Sequence, residues 1–189
     1  MPVIVSGIDL SANPRKRSGI CIIANGVLSS CIKKPKDSEI IDFIYSMGKP
    51  RVVAIDAPLS IVDKGFRDVE RLLIKDGFKL LPLGLEGMKR LAERAIRLKN
   101  IFEKEGITAL ETHPRSAFIS AGCYWENISF TGCLARYVKL ESNLNLKNKD
   151  IRDAAIAACV AWMYLNKKTL AYKSSGDSIY LLPRLNTKI

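Results

Sequence analysis

Three stretches of this chain carry carboxylates where a carboxylate is expensive to keep, and a fourth carries a carboxylate pair at a helix N-terminus. VIVSGID ends at Asp9, RVVAID at Asp56 and ITALE at Glu111. Apolar residues lead into each, so each side chain starts from a strand that is largely dry. A lone carboxylate there faces a large desolvation cost unless a cation or hydrogen-bond donors compensate it. The fourth stretch, KDIRDAAIAA, places Asp150 and Asp153 three residues apart, on one face of a helix's first turn. Several carboxylates collected at one place form an oxygen-donor set suited to a hard divalent cation, Mg²⁺ or Mn²⁺. Each residue also has a plainer reading. Asp150 and Asp153 fit a capping box, Asp56 before Ala57-Pro58 fits a turn, and Glu111 could pair with Arg115. Asp9 precedes a turn and caps no helix.

The cations form the second group. Arg15, Lys16 and Arg17 lie in the loop that follows Asp9, placed to hold a phosphate near a metal. Arg90, Arg94 and Arg97 recur at helical spacing, as a phosphate-binding stripe or as a solvated face. His113, two residues after Glu111, could shuttle a proton or serve a structural hydrogen bond. No G-x-S-x-G, Walker A or G-x-G-x-x-G pattern occurs.

These residues need a scaffold that brings strand ends together. The run through Asp9 reads as a buried strand. GICIIA and VLSSCIK, joined by Asn25-Gly26, read as a hairpin. Asp37 to Met47 has helical apolar spacing, with Asp37 or Ser38 as its cap, and Arg51 to Asp56 reads as a second buried strand. That passage implies a right-handed crossover to a parallel neighbour. Helices are expected over Arg67 to Asp76 and Leu85 to Glu105, then a short strand at Ile107 to Glu111 and a helix starting at Pro114. An Ala-rich helix follows over Asp150 to Tyr164, and Ser178 to Leu182 reads as a last short strand. The result is an α/β fold in which ligands collect beyond the carboxyl ends of the strands.

Composition narrows the class. The 189 residues suit a single domain, 1–189, and 48% hydrophobic content argues against disorder. Thirty Lys and Arg against 19 Asp and Glu leave a net charge of +11, which favours an anionic partner, nucleic acid first. The longest uncharged apolar run, Ala154 to Leu165, falls short of the roughly 20 residues that span a bilayer. The N-terminus does not read as a targeting signal. Five cysteines in no C-x-x-C pattern, with one His, give no zinc site. They read as reduced, mostly buried thiols of a cytoplasmic protein, with a Cys123–Cys133 bridge left open.

The segments GIDLS, VVAIDAPLS, ETHPRSAF and KDIRDAAIAA resemble a prokaryotic and archaeal family of predicted nucleases with a ribonuclease H-like fold. The resemblance implies a mixed five-stranded sheet of order 3-2-1-4-5, helices on both faces and a helical insert at about 60–105. It implies a metal-dependent nuclease acting on nucleic acid, with Asp9, Asp56 and Asp153 as catalytic metal ligands. Asp150 joins them as in the paired aspartates of Holliday-junction resolvases, and Glu111 belongs to the family's own motif, orienting Arg115 or a metal-bound water. Two other readings stay open: a nucleotide-binding phosphotransferase of the actin and sugar-kinase type, and a binding or scaffold protein without catalysis.

Overall fold

The structure, a computed structural model, describes residues 2–13, 15–63, 65–124, 126 and 128–185. Pro14, Lys64, Trp125 and Asn127 lie outside the described residues. The chain opens with β1 (Ile4–Asp9), β2 (Ser18–Ala24) and β3 (Val27–Lys34), an antiparallel set. Asn25 and Gly26 turn β2 into β3 at φ of 49° and 78°, the left-handed pair that a two-residue hairpin turn requires. Helix α1 (Asp37–Ser46) then carries the chain across to β4 (Val52–Asp56), parallel to β1. Its N-cap is Lys36, with no side-chain cap bond, so neither Asp37 nor Ser38 caps it.

Helices α2 (Asp68–Lys75) and α3 (Glu86–Lys104) separate β4 from β5 (Thr108–Thr112), again parallel. The short helices α4 (Pro114–Ser120) and α5 (Phe130–Leu134) and the two-residue strand β6 (Lys139–Leu140) lead to the long helix α6 (Lys149–Leu165). The hairpin β7 (Leu170–Ser174) and β8 (Asp177–Leu181) ends the described chain.

All strands join one sheet of order β6-β3-β2-β1-β4-β5-β8-β7. Its centre is the expected 3-2-1-4-5 arrangement of the ribonuclease H-like fold, with helices on both faces. Among the described residues three further strands extend this five-stranded centre to eight. β6 adds to one edge, and the β8–β7 hairpin to the other. β7 was missed because its turn is Ser175-Gly176 (φ 52° and 84°), the same turn geometry as Asn25-Gly26 with a weaker sequence mark.

Strand alternation sorts the two cores. Ile4, Ile8, Ile20, Ile22, Val53 and Ile55 face α1 and α3, meeting Ile40, Ile44, Leu98 and Phe102. Val5, Cys21, Val52 and Ala54 face the other way, onto the alanines of α6. Gly7 explains why α6 is so rich in alanine. A Cβ on Gly7 would come closer than 3.0 Å to the backbone of Ala154, Ala157 and Ala158. Helix and strand therefore touch main chain to main chain, which side chains larger than Ala would prevent.

The thiol reading is corrected for four of the five cysteines. Cys21 and Cys31 form a disulfide between β2 and β3, and Cys123 and Cys133 form a second. An irregularity between Ile22 and Ile23 shifts the hairpin register by one, which sets Cys21 opposite Cys31. Without that shift Cys21 would face Ser30. Only Cys159 is a free buried thiol, and burial pushes its pKa up to about 12. No helix among the described residues is long and apolar enough to cross a membrane.

Candidate active site

The sheet register builds the site. Asp9 pairs with Asp56 across β1 and β4, and with Gly19 across β1 and β2; Gly19 pairs with Lys33 across β2 and β3. Residues paired across strands project from the same face. One row therefore reads Lys33, Gly19, Asp9, Asp56, with strands about 4.8 Å apart. Asp9 and Asp56 lie two residues beyond Gly7 and Ala54, so this row faces α6.

Helix α6 closes over that row. Asn148 is its N-cap, its side chain accepting from the backbone N–H groups of Asp150 (2.9 Å) and Ile151 (3.4 Å). The capping-box reading of Asp150 and Asp153 is thereby replaced, since the cap is already filled. Gly19 lets the first turn descend: a Cβ there would overlap the Asp150 carbonyl. Asp153 ends half-buried above the two strand carboxylates, with the Lys149 ammonium 4.0 Å from its carboxylate. Asp150 makes an ion pair with Lys33.

A pocket of about 480 Å³ results, lined by Asp9, Asp56, Asp150 and Asp153. Four cations share its wall: Lys16, Arg17, Lys33 and Lys149. Desolvation, then the charges of Asp153 and Asp150, push Asp9 up to about 7. Desolvation, then Asp9 and Asp153, hold Asp56 well above the usual carboxylate range. Desolvation also raises Asp153, with Asp150 adding to it. The carboxylates repel one another and are short of compensation.

Lys33 and Lys149 were missed in the sequence. Lys149 stands beside the Asp150–Asp153 pair, but Lys33 becomes visible only once the register across β1, β2 and β3 is known.

Glu111 does not join this group. The register sets Thr112 beside Asp56, so Glu111 falls in the row of Ile55, on the opposite face. There it accepts from the Leu59 N–H (2.8 Å) and from both terminal nitrogens of Arg67. Arg67, 2% exposed, also binds Glu70 (2.8 Å), and its Nε is buried without a partner. The expected pairing of Glu111 with Arg115 is corrected to Arg67; Arg115 is exposed on α4.

The arginine stripe is corrected as well. Arg94 is 2% exposed and donates to Asp37 (2.6 Å), the Ser11 carbonyl (2.6 Å) and the Pro35 carbonyl (2.9 Å). It points inward and anchors the start of the loop that bears Lys16 and Arg17. Arg90 pairs with Glu86 at 3.0 Å on the surface, and Arg97 is exposed on the same helix. Arg15 is exposed in the loop but does not line the pocket. His113 Nδ1 lies 2.6 Å from Ser116 Oγ, and burial lowers its pKa to about 4, so it is a neutral structural partner.

Among the described residues no three His, Cys, Asp or Glu side chains already stand in a metal-holding geometry. The donor chemistry fits a hard divalent cation nonetheless. Asp9, Asp56 and Asp153 offer only oxygen, share one pocket, and bear charge that their surroundings leave uncompensated.

No family model and no curated protein matches the chain. Solved structures similar to it include RuvC of Thermus thermophilus, with TM-score 0.47 and 13% identity over 87% of this chain and 97% of that one. The yeast mitochondrial Holliday junction resolvase Ydc2 gives TM-score 0.46 and 14% identity over 84% and 77%. The trimeric exonuclease PhoExo I of Pyrococcus horikoshii, in complex with poly-dC, gives 0.32 and 11% over 100% and 91%.

Proposed function

We propose that this protein is a metal-dependent nuclease that hydrolyses phosphodiester bonds of nucleic acid. One observation carries the reading. Asp9 and Asp56 stand side by side in register beneath the helix turn bearing Asp153, in a pocket whose wall also holds four cations. Acidic groups alone would repel a phosphate, and cations alone would only bind one. Both together suit a site that holds an anionic backbone and a divalent ion at once.

Asp9, Asp56 and Asp153 would hold one or two Mg²⁺ or Mn²⁺ ions. A bound ion there supplies an activated water and neutralises charge on the phosphate during in-line displacement. The remaining work falls to this chain. Lys16 and Arg17, steadied through Ser11 by Arg94, position the backbone without reading bases. Lys149 moderates the charge on Asp56 and Asp153. Water gives up a proton to solvent as its oxygen bonds to phosphorus, the bond to the leaving sugar oxygen breaks, and that oxygen takes up a proton from solvent. Asp150 enters as an auxiliary ligand, and Glu111 acts from the far face by fixing Arg67 and the Leu59 backbone beside β4.

The segments that resemble the predicted-nuclease family contain all of these carboxylates, which supports the same reading. A nucleic-acid substrate supports a cytoplasmic location, a compartment in which disulfides persist in hyperthermophile proteins.

The test compares wild type with Asp9→Asn on junction, flap, single-stranded and hybrid substrates with Mn²⁺. Wild type is expected to cut at least one of them. Asp9→Asn is expected to bind as well or better and to cut none. Binding without cleavage by wild type, or equal cleavage by both, overturns the assignment.

A further inference from the structure

We infer that Lys33 receives a phosphate of the nucleic-acid backbone, and that Asp150 holds its ammonium ready until the phosphate arrives. The inference rests on the nuclease reading and extends it to how the substrate is seated.

Position is the first argument. Lys33 stands in the same sheet row as Asp9 and Asp56, separated from Asp9 only by Gly19. Two strand spacings put the Lys33 and Asp9 backbones about 10 Å apart. Gly19 contributes no side chain to that interval, and the Asp150 main chain occupies the space above it, so the residue that holds the Lys33 ammonium also borders the carboxylates. Lys33 and Asp9 line one pocket. A phosphate seated against Asp9 and Asp56 is thus within the field of Lys33.

The state of the pair is the second argument. The Lys33 side chain is 28% exposed and that of Asp150 38%. An ion pair this open to water is worth little and exchanges readily. A phosphodiester presents one negative charge on paired oxygens, as a carboxylate does. Exchanging Asp150 for phosphate keeps Lys33 neutralised throughout. Asp150 thus acts as an internal substitute for the substrate, which keeps the ammonium beside the pocket and away from Asp9. Because the contact is to backbone, it carries no base preference.

The experiment measures binding of fluorescein-labelled duplex, junction and single-stranded oligonucleotides to the full chain in EDTA, across a salt series. Wild type is compared with Lys33→Gln, Lys33→Arg, Asp150→Asn and the Lys33→Gln/Asp150→Asn double variant. One phosphate contact contributes about 0.9 to the duplex salt slope. Between 50 and 200 mM salt, Lys33→Gln should therefore lose about threefold less affinity than wild type. Lys33→Arg should restore the wild-type slope. Asp150→Asn should raise affinity, and that gain should vanish in the Lys33→Gln background. An unchanged slope in Lys33→Gln, or an equal gain from Asp150→Asn in both backgrounds, overturns the inference. If wild type cuts with Mn²⁺ in those cases, the nuclease reading survives alone. If the slope falls as expected but wild type never cuts, the phosphate contact stands and the hydrolase reading fails. Should Lys33→Gln not fold, the salt slopes of Lys33→Arg and Asp150→Asn still decide: an affinity for Asp150→Asn no higher than wild type sinks the exchange.

Discussion

Replacing Asp9 by Asn should stabilise the metal-free protein, and by an amount that depends on pH. Desolvation and the charges of Asp153 and Asp150 raise the Asp9 carboxyl from 3.8 to about 7. The folded pKa lies above the unfolded one. Between about pH 4 and 7 the folded state therefore holds a proton that the unfolded chain releases. Stability is fullest at the acid end of that window and is lost as pH rises through it. A shift of this size corresponds to roughly 4 kcal/mol at full development. Asn has no proton to give up, so the variant escapes the loss. In a chain of this length 1 kcal/mol moves the melting temperature by about 2–4 °C. Asp9→Asn should thus melt roughly 10 °C above wild type at pH 8 in EDTA and within a few degrees of it at pH 4.

Millimolar Mn²⁺ should reverse the ranking at pH 8, because an ion bound to the folded state stabilises wild type by mass action and finds one ligand fewer in the variant. Circular-dichroism melts over pH 4–8, with EDTA and with Mn²⁺, measure both effects. Parallel melting curves across pH would refute the reasoning. So would an Asn variant less stable than wild type at pH 8 in EDTA, for then Asp9 is held charged by favourable partners and the pocket carboxylates do not repel it.

Two further substitutions probe the scaffold. Gly7→Ala drives a methyl into the α6 backbone and should cost about 3 kcal/mol or more in a urea melt, whereas Gly87→Ala, in a helix with nothing within 4 Å, should be neutral or gain up to about 1 kcal/mol. Arg67→Met leaves Glu70 and Glu111 buried without their cation and should cost about 3–5 kcal/mol, with much of that recovered by adding Glu111→Gln; no recovery would mean that packing, and not charge, was lost.

The central strands were legible because each signal was local. The apolar runs into Asp9 and Asp56 and the Asn25-Gly26 turn each fix one element without help from the rest of the chain. The outer strands were not. Two-residue β6 carries no alternation to detect, and β7 is half-exposed with no apolar run of its own. The Cys21–Cys31 bridge depends on a one-residue shift between Ile22 and Ile23, which nothing in the composition announces.

Glu111 shows where the reading of the site ran out. All three acidic strand ends look alike in sequence, because an apolar run fixes burial but not the face to which its last residue points. That face is set by register between strands tens of residues apart. Asp9 and Asp56 agree in register and meet; Glu111 is one residue out of step and serves Arg67 behind the sheet. The same one-residue logic runs in reverse for Lys33. It looked like an ordinary cation in a basic chain, yet register sets it in the row of Asp9 and Asp56. The +11 net charge and the acidic pocket are consistent for that reason. The excess positive charge includes the very residues that border the carboxylates, Lys16, Arg17, Lys33 and Lys149, so the carboxylates stay close enough to raise one another's pKa while the surrounding wall remains attractive to a phosphate. Neither group of charges would serve alone. The sheet row sets Lys33 at one side of Asp9 and Asp56, and the β1–β2 loop and α6 bring Lys16, Arg17 and Lys149 to the rim, which gives the pocket its polarity.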